Sequence, residues 1–122
     1  MRTWITIASL LGASGVVLGA FGAHALKARL TPESLASWNT AVEYHLLHAV
    51  VLLVLALTAS NGGLSAPWAM KLFSAGIVFF SGSIYVLVLG GPRWVGPITP
   101  VGGICLIAAW LSLLLYARSS AG

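Results

Sequence analysis

Apolar residues along this chain fall in long blocks, and five of the eight charged residues lie outside them. The blocks run over residues 4–26, 41–60, 70–90 and 99–118. A helix needs about 20 residues to cross about 30 Å of hydrocarbon, and each block has roughly that length. Backbone amides in lipid must be paired inside the protein, so a crossing segment is a helix or a strand of a closed barrel. Barrel strands alternate polar and apolar at every second position, and these blocks do not. The pattern predicts an all-α fold, an integral membrane four-helix transmembrane bundle, with residues 1–122 forming a single transmembrane domain.

The connections carry their own signals. Thr31-Pro32-Glu33 reads as a helix start. The threonine can cap free amides, proline suits the first helical position, and an anion there favours the helix dipole. No breaker follows before Ala59, so one long helix is expected from Pro32 to about Ala59, its start over 32–43 lying at the membrane interface. Ser60 to Pro67 reads as a flexible loop by its turn residues, and Gly90 to Pro100 as a tight loop stiffened by glycine and proline. Thr99-Pro100 repeats the cap-then-proline device and is expected to open the last helix. Trp4, Trp68 and Tyr116 are expected at one membrane face and Trp38 and Trp94 near the other, where amphipathic rings prefer to sit. Trp110 fits neither belt and falls within the last span.

Composition strengthens this picture. The 122 residues are 59% hydrophobic and 7% charged, against roughly 25% charged in soluble domains. The net charge of +4 sets six basic residues, Arg2, Lys27, Arg29, Lys71, Arg93 and Arg118, scattered singly, against Glu33 and Glu43. That scatter fits headgroup anchors better than a nucleic-acid surface, which needs a clustered basic patch. Three of the basic residues fall on each side of the expected bundle, so the positive-inside rule assigns no orientation, and insertion in both orientations is the sharper alternative. With an even number of spans, both termini are expected on one side. The N-terminus imitates a signal peptide, with Arg2 followed by an apolar stretch and Ala23-His24-Ala25. That stretch is longer than the usual 7–15 residues of a signal h-region, so it is read as a retained helix.

Small residues recur at helical spacing. Gly12, Gly15, Gly19 and Gly22 share one face of the first helix, and Gly102, Cys105, Ala109 and Ser112 repeat the spacing in the last. Gly82 lies between two serines in the third. Membrane helices gain little from hydrophobic exclusion, and close backbone approach packs them instead. These residues are therefore the expected packing ridges, with Cys105 a small packing residue, and exposed small faces could join copies into a homo-oligomer.

Candidate chemistry concentrates at the start of the second helix, in Trp38, Asn39, Glu43, Tyr44, His45 and His48, with His24 near by at the end of the first. Trp38, Ala41, His45, His48 and Leu52 share one helical face, while Glu43 points away from both histidines and pairs more naturally with Asn39. Three readings stand open. The polar groups are structural hydrogen bonders between helices. They bind a metal, haem or quinone through His24, His45 and His48. Or Glu43 or His45 titrates in proton-linked transport. No resident cofactor or metal is called for. The sequence holds no aspartate, which rules out a Ser-His-Asp triad. Glu33 and Glu43 would stand about 15 Å apart on one helix, too far for paired-carboxylate catalysis. No phosphate-binding glycine motif is present. No catalytic residue is therefore assigned, and a non-enzymatic protein is expected.

Four segments in order resemble the YgdD-like family of small bacterial inner-membrane proteins, which has a small human relative and is catalogued as a domain of unknown function. They are Gly19-Ala20-Phe21-Gly22-Ala23-His24, then Trp38-Asn39-Thr40-Ala41 with Tyr44-His45 and His48-Ala49, Phe80-Ser81-Gly82-Ser83 with Tyr85, and Ile98-Thr99-Pro100 with Gly102-Gly103. The resemblance covers nearly the whole chain. It implies four helices in the bacterial cytoplasmic membrane and no assigned activity. It adds Ser81, Ser83, Tyr85 and Thr99 to the candidates and suggests that all converge with the histidines on one polar pocket.

Overall fold

The computed structural model describes residues 2–63 and 65–121, with side chains as far as 118. Among these are four helices long and apolar enough to cross a membrane. Helix α1 is Arg2–Leu26, α2 Pro32–Ser60, α3 Pro67–Val88, and α4 Ile98–Ala121, the last led in by a short 3-10 turn, Arg93–Val95.

Local chemistry accounts for most helix ends. The Thr31 side chain accepts from the Ser34 amide at 3.1 Å and Pro32 occupies the first turn, so α2 starts where its sequence directs. It runs unbroken for 29 residues, through the whole of the expected interfacial segment. At its far end Gly62 takes φ +78°, and the amides of Gly62 and Gly63 reach back to the Ala59 and Thr58 carbonyls. The expected loop from Ser60 is thus a capped turn as far as Gly63; Leu64 lies outside the described residues.

Two boundaries differ from expectation. Helix α3 begins at Pro67, where proline needs no amide partner, and so starts before residue 70. Helix α4 begins at Ile98, so Thr99 is inside the helix and does not cap it; its hydroxyl is turned to Ser83 instead. Pro100 then falls among the first four residues, whose amides have no intrahelical acceptor in any case.

Each helix packs antiparallel along its sequence neighbour: α1 on α2, α2 on α3, α3 on α4. At one end Ala8 of α1 joins Leu52, Leu55 and Ala56 of α2, Met70 and Phe73 of α3, and Leu106 and Ala109 of α4 in one apolar core. At the other, Trp38 and Val42 of α2 meet Leu26 of α1 and Tyr85 of α3. Helices α1 and α4 do not pack along each other. The bundle is therefore open along its first-to-last edge rather than closed on all sides.

The small residues show why. A Cβ on Gly15 would stand 2.6 Å from Leu46 Cδ2, one on Gly19 3.1 Å from Val42, and one on Gly22 2.6 Å from the Trp38 ring, so this ridge of α1 faces α2. A Cβ on Gly102 would stand 2.6 Å from Phe80 Cα, and Gly76 receives Leu106, so the close approach of α4 is to α3. The glycines of α1 and α4 that make close approaches are spent on chain neighbours, which leaves none to join α1 to α4. Gly12 and Gly82 face open space, so neither serves as a packing position within the protomer. Of the rest of the α4 set, Ala109 is fully buried, while Cys105 and Ser112 are half-buried.

Both α1 and α3 contain a π turn, Gly22–Leu26 and Ile77–Ser81. The wider turn in α3 lies against Gly102 and sends the buried Ser81 hydroxyl to the Ala41 carbonyl of α2 at 2.7 Å. Such insertions re-aim side chains within an otherwise regular helix.

Candidate functional site

His45 lies at the junction of α1, α2 and α3. Its Nε2 is 2.8 Å from the Leu11 carbonyl and 3.2 Å from Ser14 Oγ, and its Nδ1 is 2.9 Å from the Tyr85 hydroxyl. A carbonyl only accepts, so Nε2 carries the proton, and Tyr85 donates to the bare Nδ1. Trp38 closes the arrangement. Its ring lies 4.7 Å from that of Tyr85, and its N–H donates to the Leu18 carbonyl at 2.9 Å. Trp38 is 0% exposed, so it is an interior residue and not the headgroup anchor its indole suggests. Gly22 makes room for it.

His48 lies one turn further along α2 and has the opposite tautomer. Its Nδ1 donates to the Tyr44 carbonyl at 2.8 Å, and its Nε2 accepts from the Trp110 indole N–H at 3.1 Å. Phe73 and Trp110 pack at their edges, with ring centres 5.2 Å apart, and His48 stacks with Tyr44 at 5.9 Å. A third polar contact joins α3 to α4, where Thr99 donates to Ser83, whose hydroxyl is in turn bonded to the Phe80 carbonyl.

The candidates therefore separate into small sets. His45 and Tyr85 meet directly, His48 is bound into its own set, and Ser81 and Ser83 bond to different helices. Among the described residues no buried side-chain nitrogen or oxygen lacks a hydrogen-bond partner. His24, Asn39 and Glu43 are exposed and join none of the sets, because the faces carrying them turn outward. No group of three or more His, Cys, Asp or Glu comes together among the described residues. Two open clefts lie at the bundle ends. One, of about 590 Å³, lies between Glu33, Ser37 and Thr40 of α2 and Leu87 and Thr99. The other, of about 530 Å³, lies beside Trp68 and Tyr116. No histidine lines either one.

Sequence reasoning missed Ser14 as a partner of His45 and Trp110 as a partner of His48. Trp110 did carry a signal. An indole N–H inside a span has no water to bond and must find an acceptor in the protein.

Four apolar helices with their buried polar groups satisfied internally define a multi-pass membrane protein. Residues 18–103 match a family model described as a protein of unknown function, DUF423, and the chain belongs to that family. It is similar to the UPF0382 membrane protein YwdK of Bacillus subtilis, 39% identical over 96% of this chain and 97% of the relative. UPF0382 membrane proteins of Staphylococcus epidermidis and Staphylococcus aureus are 38% and 36% identical over the whole of both chains. No solved structure matches the chain.

Proposed function

We propose that this is a non-enzymatic protein of the bacterial cytoplasmic membrane with a structural or interaction role, both termini on one side, its buried polar residues acting as clamps between helices. The observation that carries the reading is the saturation of the two buried histidines. Each imidazole uses both ring nitrogens, one on a backbone carbonyl and one on a donor from another helix. A ligand to a metal or haem keeps a nitrogen free for it, and a relay needs a continuous path. Here the two histidines belong to separate hydrogen-bond sets. The even number of spans supports placing the termini together.

Native mass spectrometry of the protein released gently from detergent tests this. Wild type is expected at the bare chain mass or a whole multiple of it, and His45→Ala and His48→Ala are expected to melt lower without losing any bound mass. A defined excess mass that disappears in either variant would overturn the clamp reading in favour of a bound metal or cofactor. A pH-driven flux in vesicles abolished by Glu43→Gln would overturn it in favour of transport.

A further inference from the structure

Glu43 is placed where an isolated carboxylate is costly. It lies next to Val42, which packs on Gly19 of α1, and near Ala41, whose carbonyl takes the Ser81 hydroxyl of α3. Helix α1 continues seven residues beyond Gly19 to Leu26, and α3 seven beyond Ser81 to Val88. At 1.5 Å per residue, Glu43 is about 10 Å below both helix ends. Leu87 and Val88 of α3, which lie nearer that end, are apolar. A glutamate leaning back along its helix gains less than a turn of height, so its carboxyl group stays below both helix ends, deeper than the interfacial level expected for residues 32–43.

It also faces outward. Asn39, Glu43, Leu47, Val50 and Val54 form one exposed strip of α2, with the last three 57%, 60% and 56% exposed. Among the described residues no side chain of the protomer bonds to Glu43 or Asn39. Lipid tails offer no donor at that depth, and polar groups in a span are satisfied by other helices.

We infer that this strip is the interface with a second copy of the chain, related by a two-fold axis along the membrane normal. Such an axis brings identical depths together, and an isologous contact must be self-complementary. A carboxamide and a carboxyl group one turn apart meet that requirement. Glu43 leans toward the start of α2 and so reaches the level of Asn39, where the Asn39 amide of each copy donates to Glu43 of the other. Leu47, Val50 and Val54 continue the contact below. The inference rests on the interaction role proposed above and names its partner.

Disulfide cross-linking in membranes tests it, in a Cys105→Ser background that leaves no native thiol. Leu47→Cys is expected to give a covalent dimer on oxidation, while Leu10→Cys on α1 and Ile104→Cys on α4, both 65% exposed, are not. Adding Glu43→Leu is expected to weaken dimerisation by about ten- to a hundred-fold, the loss of two interhelical hydrogen bonds. Glu43→Gln, which still accepts from Asn39, is expected to keep the dimer. Because Glu43 is exposed in the protomer, circular dichroism should show all variants folded. Cross-linking of Leu47→Cys no stronger than at Leu10→Cys, an adduct with a different protein, or a dimer indifferent to Glu43→Leu would each overturn the inference. These readouts are independent of bound mass and protomer melting, so failure here is distinct from failure of the clamp reading.

Discussion

The α1–α2 and α3–α4 interfaces use the same device for different contacts. In the first, glycines receive side chains: Leu46 on Gly15, Val42 on Gly19, Trp38 on Gly22. In the second, Gly76 likewise receives the Leu106 side chain, but Gly102 receives backbone, that of Phe79 and Phe80 within the π turn. A side-chain end can rotate away from an added methyl, whereas a helix backbone moves only if the whole helix does. Glycine spacing alone does not tell these cases apart, yet they differ in how much change they tolerate.

The largest effect is therefore expected at Gly102. Gly102→Ala should cost about 1–3 kcal/mol, toward the upper end, measured by unfolding in detergent. Gly15→Ala should cost less, about 1 kcal/mol, because Leu46 can shift and alanine is the better helix former, although the clamped His45 ring stands 3.2 Å from the added carbon. Gly12→Ala and Gly82→Ala, in open space, should cost nothing. Equal losses at Gly102 and Gly15 would remove the distinction.

A smaller effect separates the two histidine sets. Interhelical hydrogen bonds in membrane proteins average about 0.6 kcal/mol and reach about 1.7. A double-mutant cycle on His45 and Tyr85, whose bond is buried, should approach the upper value. The cycle on His48 and Trp110, the latter 46% exposed, should fall near the mean. Coupling between His45 and Trp110, which share no contact, should be close to zero.

Much of the architecture was legible in the sequence. The long apolar blocks predict the four helices, and Thr31-Pro32 marks the start of α2 because its cap uses a side chain. The site was less legible, for a physical reason. The interhelical acceptors for Trp38, His45 and Ser81 are the carbonyls of Leu18, Leu11 and Ala41. Every residue has a carbonyl, so no side-chain pattern announces which one will be used. Trp38 reads as an interfacial ring because indoles favour that position, and only its contact with Gly22 places it inside. Thr99 reads as a cap, but Ser83 of the neighbouring helix competes for its hydroxyl. The open edge between α1 and α4 is equally hidden, since each small-residue ridge is visible in sequence while the direction it faces is not.

His45 and His48 act as neutral clamps held in opposite tautomers. Nitrogen NMR of the two remaining imidazoles in a His24→Ala variant, in lipid bilayers at neutral pH, tests this directly. One ring protonated only at Nε2, for His45, and one only at Nδ1, for His48, are expected, each as a single species. A doubly protonated ring, exchange between tautomers, or the same tautomer at both positions would contradict it.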